Sequence, residues 1–351
     1  MRLLLLFLAT NIISLAMFSQ PFDSDGDKAI LEQVWIDLNQ PVLAGWDFDP
    51  VVELNDSWEG ITMTGDGNNL SMINLYSKDL TGIVSPSLGG LSQLTVLDLN
   101  TNGLHGDIPV ELSNLVHLKD LLLSHNNLTG NIPEELTNLN QLRLLHLSSN
   151  QLTGQIPLEI GNLNLLTELR LYNNSLSGHI PLSLGNLNEL TLLWLSNNNL
   201  SETIPAELGN LTQLTWLWLS DNNLSGSIPY ELGDLSQISI FDISGNSLSG
   251  CIPLSFQVFC TGAAVDYSTN TFLENDEFSL FCTEGFGLCQ PLCASDVDRN
   301  GIVNGNDFAL FLGNFGLNCS YPFCTTDLNS DVVTNGGDFA IFLGNYGLNC
   351  D

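Results

Sequence analysis

Two segments near the C-terminus carry oxygen-bearing side chains at the same spacing. Asp or Asn fills positions 1, 3, 5, 9 and 12 of residues 296–308 and again of residues 327–339. With a backbone carbonyl at position 7, this is the set of hard oxygen donors that calcium requires. Calcium is therefore the predicted cofactor. The predicted ligands are Asp296, Asp298, Asn300, Ile302 (through its carbonyl), Asn304 and Asp307 in the first loop, and Asp327, Asn329, Asp331, Val333 (through its carbonyl), Asn335 and Asp338 in the second.

Each of these loops runs into an apolar segment, residues 308–315 and 339–346, which predicts a following helix. The second loop has Val332 where a calcium loop makes a sharp turn at glycine, so we expect it to bind calcium less well. An acidic turn that only resembles a calcium loop is the alternative. The tandem repetition with the same following helix favours calcium.

The charge balance of the chain limits its partners. The 351 residues include 39 Asp and Glu but only 7 Lys and Arg, a formal net charge of -32. Such a chain repels phosphate backbones and anionic lipid surfaces, so nucleic acid is not an expected partner. Cations and basic partner surfaces are favoured instead.

The middle of the chain repeats every 24 residues without a gap. The segment Leu97-Asp-Leu-Asn-Thr-Asn-Gly-Leu-His-Gly-Asp-Ile-Pro109 returns from Leu121, Leu145, Leu169, Leu193, Leu217 and Phe241, and a weaker copy begins near Leu70. A repeat of this length cannot bury its apolar side alone, so successive copies must stack. The pattern predicts an α/β solenoid of about eight leucine-rich repeats, wound as a right-handed superhelix.

Each recurring residue type has a physical role in such a coil. The paired leucines form the inward side of a short strand, and the glycine and proline that follow permit tight geometry and end the strand. An asparagine just after each strand can satisfy backbone groups that would otherwise be buried without partners. These asparagines are Asn102, Asn126, Asn150, Asn174, Asn198, Asn222 and Asn246.

The residues between the inward leucines line the outer side of the strand sheet, which we call the concave face. Trp194, Trp216 and Trp218 should lie close together there, with His146, Arg170 and Tyr172 one or two strands away. Exposed tryptophan beside arginine is typical of binding surfaces, so these six residues are the predicted site for a protein or glycan ligand. Cross-strand packing of the rings is the alternative. No nucleophile with a base and an orienting group is present, so an enzyme is not expected.

The repeat lettering resembles a known family. The pattern Asn-x-Leu-x-Gly-x-Ile-Pro-x-x-Leu-Gly-x-Leu, clearest from Asn222 to Leu235, is similar to plant-type leucine-rich repeats. The resemblance implies a non-enzymatic fold of the kind that receptor-like kinase ectodomains and polygalacturonase-inhibitor-like proteins share. The stretch from Lys28 to Met63 resembles the family's N-terminal cap, but Asp56 and Met63 stand where plant members carry cysteines.

The C-terminal unit, residues 293–351, resembles a type I dockerin because each loop ends in Asp and a helix follows it but does not precede it. The resemblance implies a small all-α calcium module and a possible cohesin-domain partner. Gly305-Asn306 and Gly336-Gly337 replace the Ser-Thr pair that commonly contacts cohesin. Cohesin docking and a calcium-stabilised structural tail therefore both remain open.

The chain begins with Met1-Arg2 and an apolar run from Leu3 to Phe18, which predicts a signal peptide over residues 1–20. The run is shorter than the roughly 20 residues that span a bilayer, and no later segment is long enough. We therefore predict a secreted, extracellular or cell-surface protein. The predicted units are an N-terminal cap (21–66), the repeats (67–258), a cysteine-containing cap or linker (259–292) and the calcium module (293–351).

All eight cysteines lie between Cys251 and Cys350, an even number that predicts disulfides in an exported chain. We expect Cys251 to pair with Cys260 at the end of the repeats and Cys282 to pair with Cys289. Cys293, Cys319, Cys324 and Cys350 bracket the two calcium loops symmetrically, which allows pairing within each loop unit or between the two.

Overall fold

The structure is a computed structural model that describes residues 24–48, 55–65, 67–250, 252–270, 272–273 and 282. The predicted signal peptide, both predicted calcium loops and all twelve predicted calcium ligands lie outside the described residues. Within the described residues, no helix has the length and apolar character needed to cross a membrane.

The helix α1 (Ser24–Asp37) opens the described chain, and short strands follow at regular intervals. The strands are β1 (Ile61–Met63), β2 (Leu70–Asn74), β3 (Thr81–Ile83), β4 (Val96–Asp98), β5 (Gly103–Asp107), β6 (Asp120–Leu122), β7 (Asn127–Thr129), β8 (Leu144–His146), β9 (Glu168–Arg170), β10 (Ser177–Gly178), β11 (Leu192–Trp194), β12 (Asn199–Glu202), β13 (Trp216–Trp218), β14 (Asn223–Ser227), β15 (Ile240–Asp242), β16 (Ser247–Gly250), β17 (Ala264–Asp266) and β18 (Phe272–Leu273).

One long sheet contains a strand from every repeat, in the order β1-β2-β4-β6-β8-β9-β11-β13-β15-β17. All neighbours are parallel except β1, which pairs antiparallel with β2. The register advances by 24 residues a strand, so that Leu193 lies beside Leu169 and Leu217. Eight of these strands are the predicted repeats, which confirms the stacked leucine-rich architecture. The ninth parallel strand, β17, lies in the segment predicted only as a cap or linker.

The connections behind the sheet are 3₁₀-helices and not α-helices. They are Pro86–Gly90, Val110–Asn114, Glu134–Asn138, Leu158–Asn162, Leu182–Asn186, Ala206–Asn210, Tyr230–Asp234 and Leu254–Thr261. A proline precedes each of the last seven, and most are only five residues long. So short a segment closes better with the tighter i to i+3 bonds of a 3₁₀-helix. The α/β prediction is therefore wrong for the repeats in this detail, because the helical segments that the structure describes within the repeats are 3₁₀-helices.

Leucine side chains from successive coils form one continuous core. Leu193, Leu195, Leu200 and Leu208 of a single repeat are all fully buried, and the equivalent positions of the other repeats are buried too. Burial of this kind contributes about 1.5–3 kcal/mol for each large aliphatic side chain. The leucine periodicity thus positions every outward residue of the sheet.

A buried asparagine ladder fixes each coil to the one before it. The Asn198 Nδ2 donates to the carbonyls of Leu171 (3.0 Å), Leu195 (3.1 Å) and Ser196 (3.3 Å), and its Oδ1 accepts the N–H of Leu176 at 3.0 Å. Equivalent bonds surround Asn126, Asn150, Asn174 and Asn222. The predicted role of these asparagines is confirmed.

The N-terminal cap covers the first coil with aromatic rings. Trp58 is buried and lies 5.8 Å from Trp46 and 5.3 Å from Phe48, while Lys28 sits over its ring. The backbone N–H of Met63 donates to Oδ1 of Asp56 at 2.6 Å. A hydrogen bond therefore joins the two positions where plant members carry cysteines.

The far end of the stack is closed by a disulfide between Cys260 and Cys282, 22 residues apart. The predicted pairings of Cys260 with Cys251 and of Cys282 with Cys289 are therefore wrong. Cys260 lies in the last 3₁₀-helix, and the additional coil that contains β17 follows it. The disulfide thus encloses this coil instead of closing the repeat before it.

Candidate functional site

The sheet register brings the predicted concave-face residues together. His146, Arg170, Trp194 and Trp218 occupy one register position on four consecutive strands, β8, β9, β11 and β13. Trp216 lies two residues before Trp218 on β13, and Tyr172 follows β9. The predicted neighbourhood of the six residues is therefore present in the fold.

Four of these residues form a continuous aromatic row of Tyr172, Trp194, Trp218 and Trp216. The first two rings stack at 3.8 Å, and the next two centroid distances are 4.1 and 5.3 Å. Most of the row is half-buried because each ring covers the next, as cross-strand packing requires. Trp216, at the end of the row, is 38% exposed and offers a flat apolar surface to solvent.

A small charged cluster borders the aromatic row. The Glu168 carboxylate accepts from Arg170 at 2.7 Å and lies 3.0 Å from Nε2 of His146. Burial, aided by the positive charge of Arg170, lowers the pKa of His146 to about 4. The imidazole is therefore neutral at pH 7 and hydrogen-bonded to Glu168. The Nε atom of Arg170 is buried and has no hydrogen-bond partner among the described residues.

A shallow trough of about 200 Å³ lies beside the charged cluster and was not predicted from the sequence. Its lining includes Tyr76, Asn100, Ser124, Ser148 and Tyr172. The two serine hydroxyls are buried and bonded to each other at 2.9 Å. These five lining residues occupy the same position of successive repeats, and most repeats have serine there. The two tyrosines, which lie four repeats apart, are the sequence signal that could have revealed the trough.

The opposite half of the concave face is acidic. Asp98 on β4 and Asp120 on β6 are half-buried, and burial raises the pKa of each carboxyl above its ordinary range. Hydrogen bonding to Asn100 opposes the shift at Asp98, and Arg143 and Lys119 oppose it at Asp120. The face therefore changes from acidic to aromatic along the stack.

The concave face is an open sheet surface on which the aromatic row adjoins the charged cluster. The described residues hold no group of three His, Cys, Asp or Glu side chains that could bind a metal ion. Among the hydrogen bonds of the described residues, the His146 imidazole is bonded to the Glu168 carboxylate and not to a hydroxyl or thiol. The fold and this face define a stacked repeat protein with an open sheet surface.

The chain belongs to the leucine-rich repeat family. The model of the family described as "Leucine-rich repeat region" matches residues 71–251, about half of the chain. No curated protein sequence matches the chain.

Solved structures of plant proteins share the fold. The Arabidopsis receptor kinase HAESA, in complex with the peptide hormone IDA and the co-receptor SERK1, is 33% identical over 69% of this chain, with a TM-score of 0.62. The ectodomain of the Arabidopsis thaliana receptor kinase GASSHO1/SCHENGEN3, in complex with CASPARIAN STRIP INTEGRITY FACTOR 2, is 32% identical over 70%, with a TM-score of 0.59. This chain spans only 41% and 33% of those two chains.

A plant ice-binding protein is 26% identical over 73% of this chain, with a TM-score of 0.53, and 97% of its own length is covered. The present chain is thus similar to plant peptide-receptor ectodomains, whose repeats are binding domains and not catalytic ones.

Proposed function

We propose that this chain is an exported, non-enzymatic binding protein whose concave face holds an extended protein or glycan ligand. The exposed ring of Trp216, at the end of a row of stacked rings, is the observation that carries the proposal. The asparagine ladder and the leucine core hold the strands that carry this aromatic row in place. Little conformational ordering of the protein is therefore needed when a ligand binds.

A peptide segment is the ligand class that we favour. Two of the similar structures are receptor chains in complex with a peptide hormone or an integrity factor. Aromatic residues beside an arginine, as at Trp194 and Arg170, are the composition of protein-binding hot spots. A glycan stacked on Trp216 is the alternative outcome of the same experiment.

The experiment uses the mature protein on peptide and glycan arrays, followed by the same arrays with Trp216→Ser. We expect the substitution to weaken binding roughly 10-fold or more, as the loss of an interface hot spot does. Tyr230→Ser is the matched control, because Tyr230 is 40% exposed on a 3₁₀-helix away from the sheet. Unchanged binding by a folded Trp216→Ser protein contradicts the proposed site.

We further propose that residues 293–351 form a calcium-binding tail that attaches or stabilises the protein. The support is the donor set of the two loops, in which each loop supplies carboxylate and amide oxygens at calcium-loop spacing. The second candidate function is a dockerin-borne component of an extracellular polysaccharide-degrading assembly. Capture by a cohesin-bearing protein that is lost on chelation favours this candidate, and capture that ignores chelation excludes it.

A further inference from the structure

The described residues contain five Lys and Arg side chains, and three of them have partners. Lys28 lies over the Trp58 ring, Lys78 pairs with Glu59, and Arg170 pairs with Glu168. Lys119 and Arg143 are exposed, and their side chains have no hydrogen bond or ion pair with any described residue. In a chain with 39 acidic residues, two unpaired cations need an explanation.

These two cations lie side by side at one edge of the concave face. They occupy the same position of consecutive repeats, and the backbone N–H of Arg143 donates to the backbone carbonyl of Lys119 at 2.6 Å. Neighbouring strands are about 4.8 Å apart, and like charges directly across a sheet are destabilising. Their mutual repulsion costs stability, and the Asp120 carboxylate attracts both of them.

The repeat itself shows what the fold requires at this position. Four other repeats have threonine there, and each hydroxyl donates to the carbonyl one coil earlier: Thr95, Thr167, Thr191 and Thr215. The structural residue of the position is thus a threonine that bonds to the preceding coil. Lys119 and Arg143 are departures from it in two adjacent coils.

One carboxyl, that of Asp120, lies near Lys119 and Arg143 and does not fully balance their two positive charges. Asp120 lies within electrostatic reach of both cations but forms no ion pair of 4 Å or less with either, among the described contacts. Asp120 is half-buried, whereas both cations reach into solvent. The solvent side of the pair is open to a second negative group.

We propose that Lys119 and Arg143 bind an acidic side chain of the peptide that occupies the concave face. The inference rests on the proposed function and specifies how the peptide is oriented along the sheet. A carboxylate-bearing segment lies over β6 and β8, and an apolar segment lies over Trp216 on β13. Four strand steps separate β6 from β13, so about 6 extended residues connect the two segments.

The test is a selection from a displayed library of random peptides of about 12 residues, twice the span just given. The library is selected in parallel on the wild-type protein and on the K119T/R143T double variant. Threonine is the residue that this position holds in neighbouring repeats, so the variant is expected to fold normally. We expect Asp and Glu to be enriched in the peptides selected by wild type and not in those selected by the variant.

A peptide selected on wild type should bind the double variant roughly 2- to 30-fold more weakly, the range for two exposed ion pairs. K28Q/K78Q removes the same charge away from this face and should leave the affinity unchanged once its fold is verified. Equal acidic enrichment on wild type and K119T/R143T, or an equal loss with K28Q/K78Q, overturns the inference but leaves the proposed function standing. Selection of no peptide by any of the proteins overturns the inference and the preference for a peptide ligand, and favours the glycan alternative of the proposed function.

Discussion

The asparagine ladder gives a stability prediction that follows directly from the structure. Asn198 is 8% exposed, and its amide makes three donor contacts and one acceptor contact with two coils. Asn198→Ala removes all of them and leaves the Leu176 N–H without a partner in a buried position, whereas the Leu171 carbonyl keeps the bond that Asn174 Nδ2 donates at 3.0 Å.

The size of the loss can be worked out from these contacts. The amide group has two N–H bonds to share among three carbonyls, so we count two donor bonds and one acceptor bond. At about 0.5–1.5 kcal/mol each, the free energy of unfolding should fall by about 3 kcal/mol. Because repeats interact mainly with their neighbours, the coils on either side of Asn198 should loosen first.

The assay is equilibrium unfolding in urea, followed by circular dichroism. Asn199→Ala is the matched control, since Asn199 is exposed and its described contact is made by its backbone N–H alone. The control should lie within about 0.5 kcal/mol of wild type. If Asn198→Ala and Asn199→Ala are equally stable, the ladder does not stabilise the stack as argued.

Two further predictions concern protonation and metal binding. The pKa of His146 is lowered to about 4 from its ordinary 6.5, so the unfolded chain takes up the proton first as the pH falls. The stability that the neutral imidazole contributes should therefore be complete above pH 6.5 and should be lost between pH 6.5 and about pH 4. The measurement is the difference in unfolding free energy between wild type and His146→Gln. If this difference does not change over that pH range, the lowered pKa of His146 is contradicted. Calorimetric titration of the mature protein with calcium should show binding that Asp307→Ala weakens more than Asp338→Ala does, because Val332 makes the second loop the poorer one. Equal titration curves for wild type and a variant that lacks both carboxylates exclude these loops as the calcium sites.

The repeat-level architecture could be predicted because its signals are local and strictly periodic. The leucines at 24-residue spacing define which side chains point inward, and the register then places Trp194 beside Trp218. The buried role of Asn198 followed from its position just after a strand. None of these predictions needed contacts that are distant in the sequence by more than one coil.

The missed features depend on packing that no single repeat encodes. The strand β17 reads Ala264-Val-Asp266, without the leucine pair, and is held by pairing with β15. The Cys260–Cys282 disulfide depends on that additional coil. The trough between Tyr76 and Tyr172 appears only when five coils are stacked.

The proposed function requires that a ligand lies on the concave face of the stack. Hydroxyl-radical footprinting of the protein with and without an array-selected binder tests it most directly, since the oxidation of each tryptophan is measured by mass spectrometry. We predict that the binder protects Trp216, which is 38% exposed, and leaves the oxidation of Tyr230 on the 3₁₀-helix side unchanged. Protection of Tyr230 while Trp216 stays fully reactive would place the ligand on the opposite side of the stack and refute the proposed site.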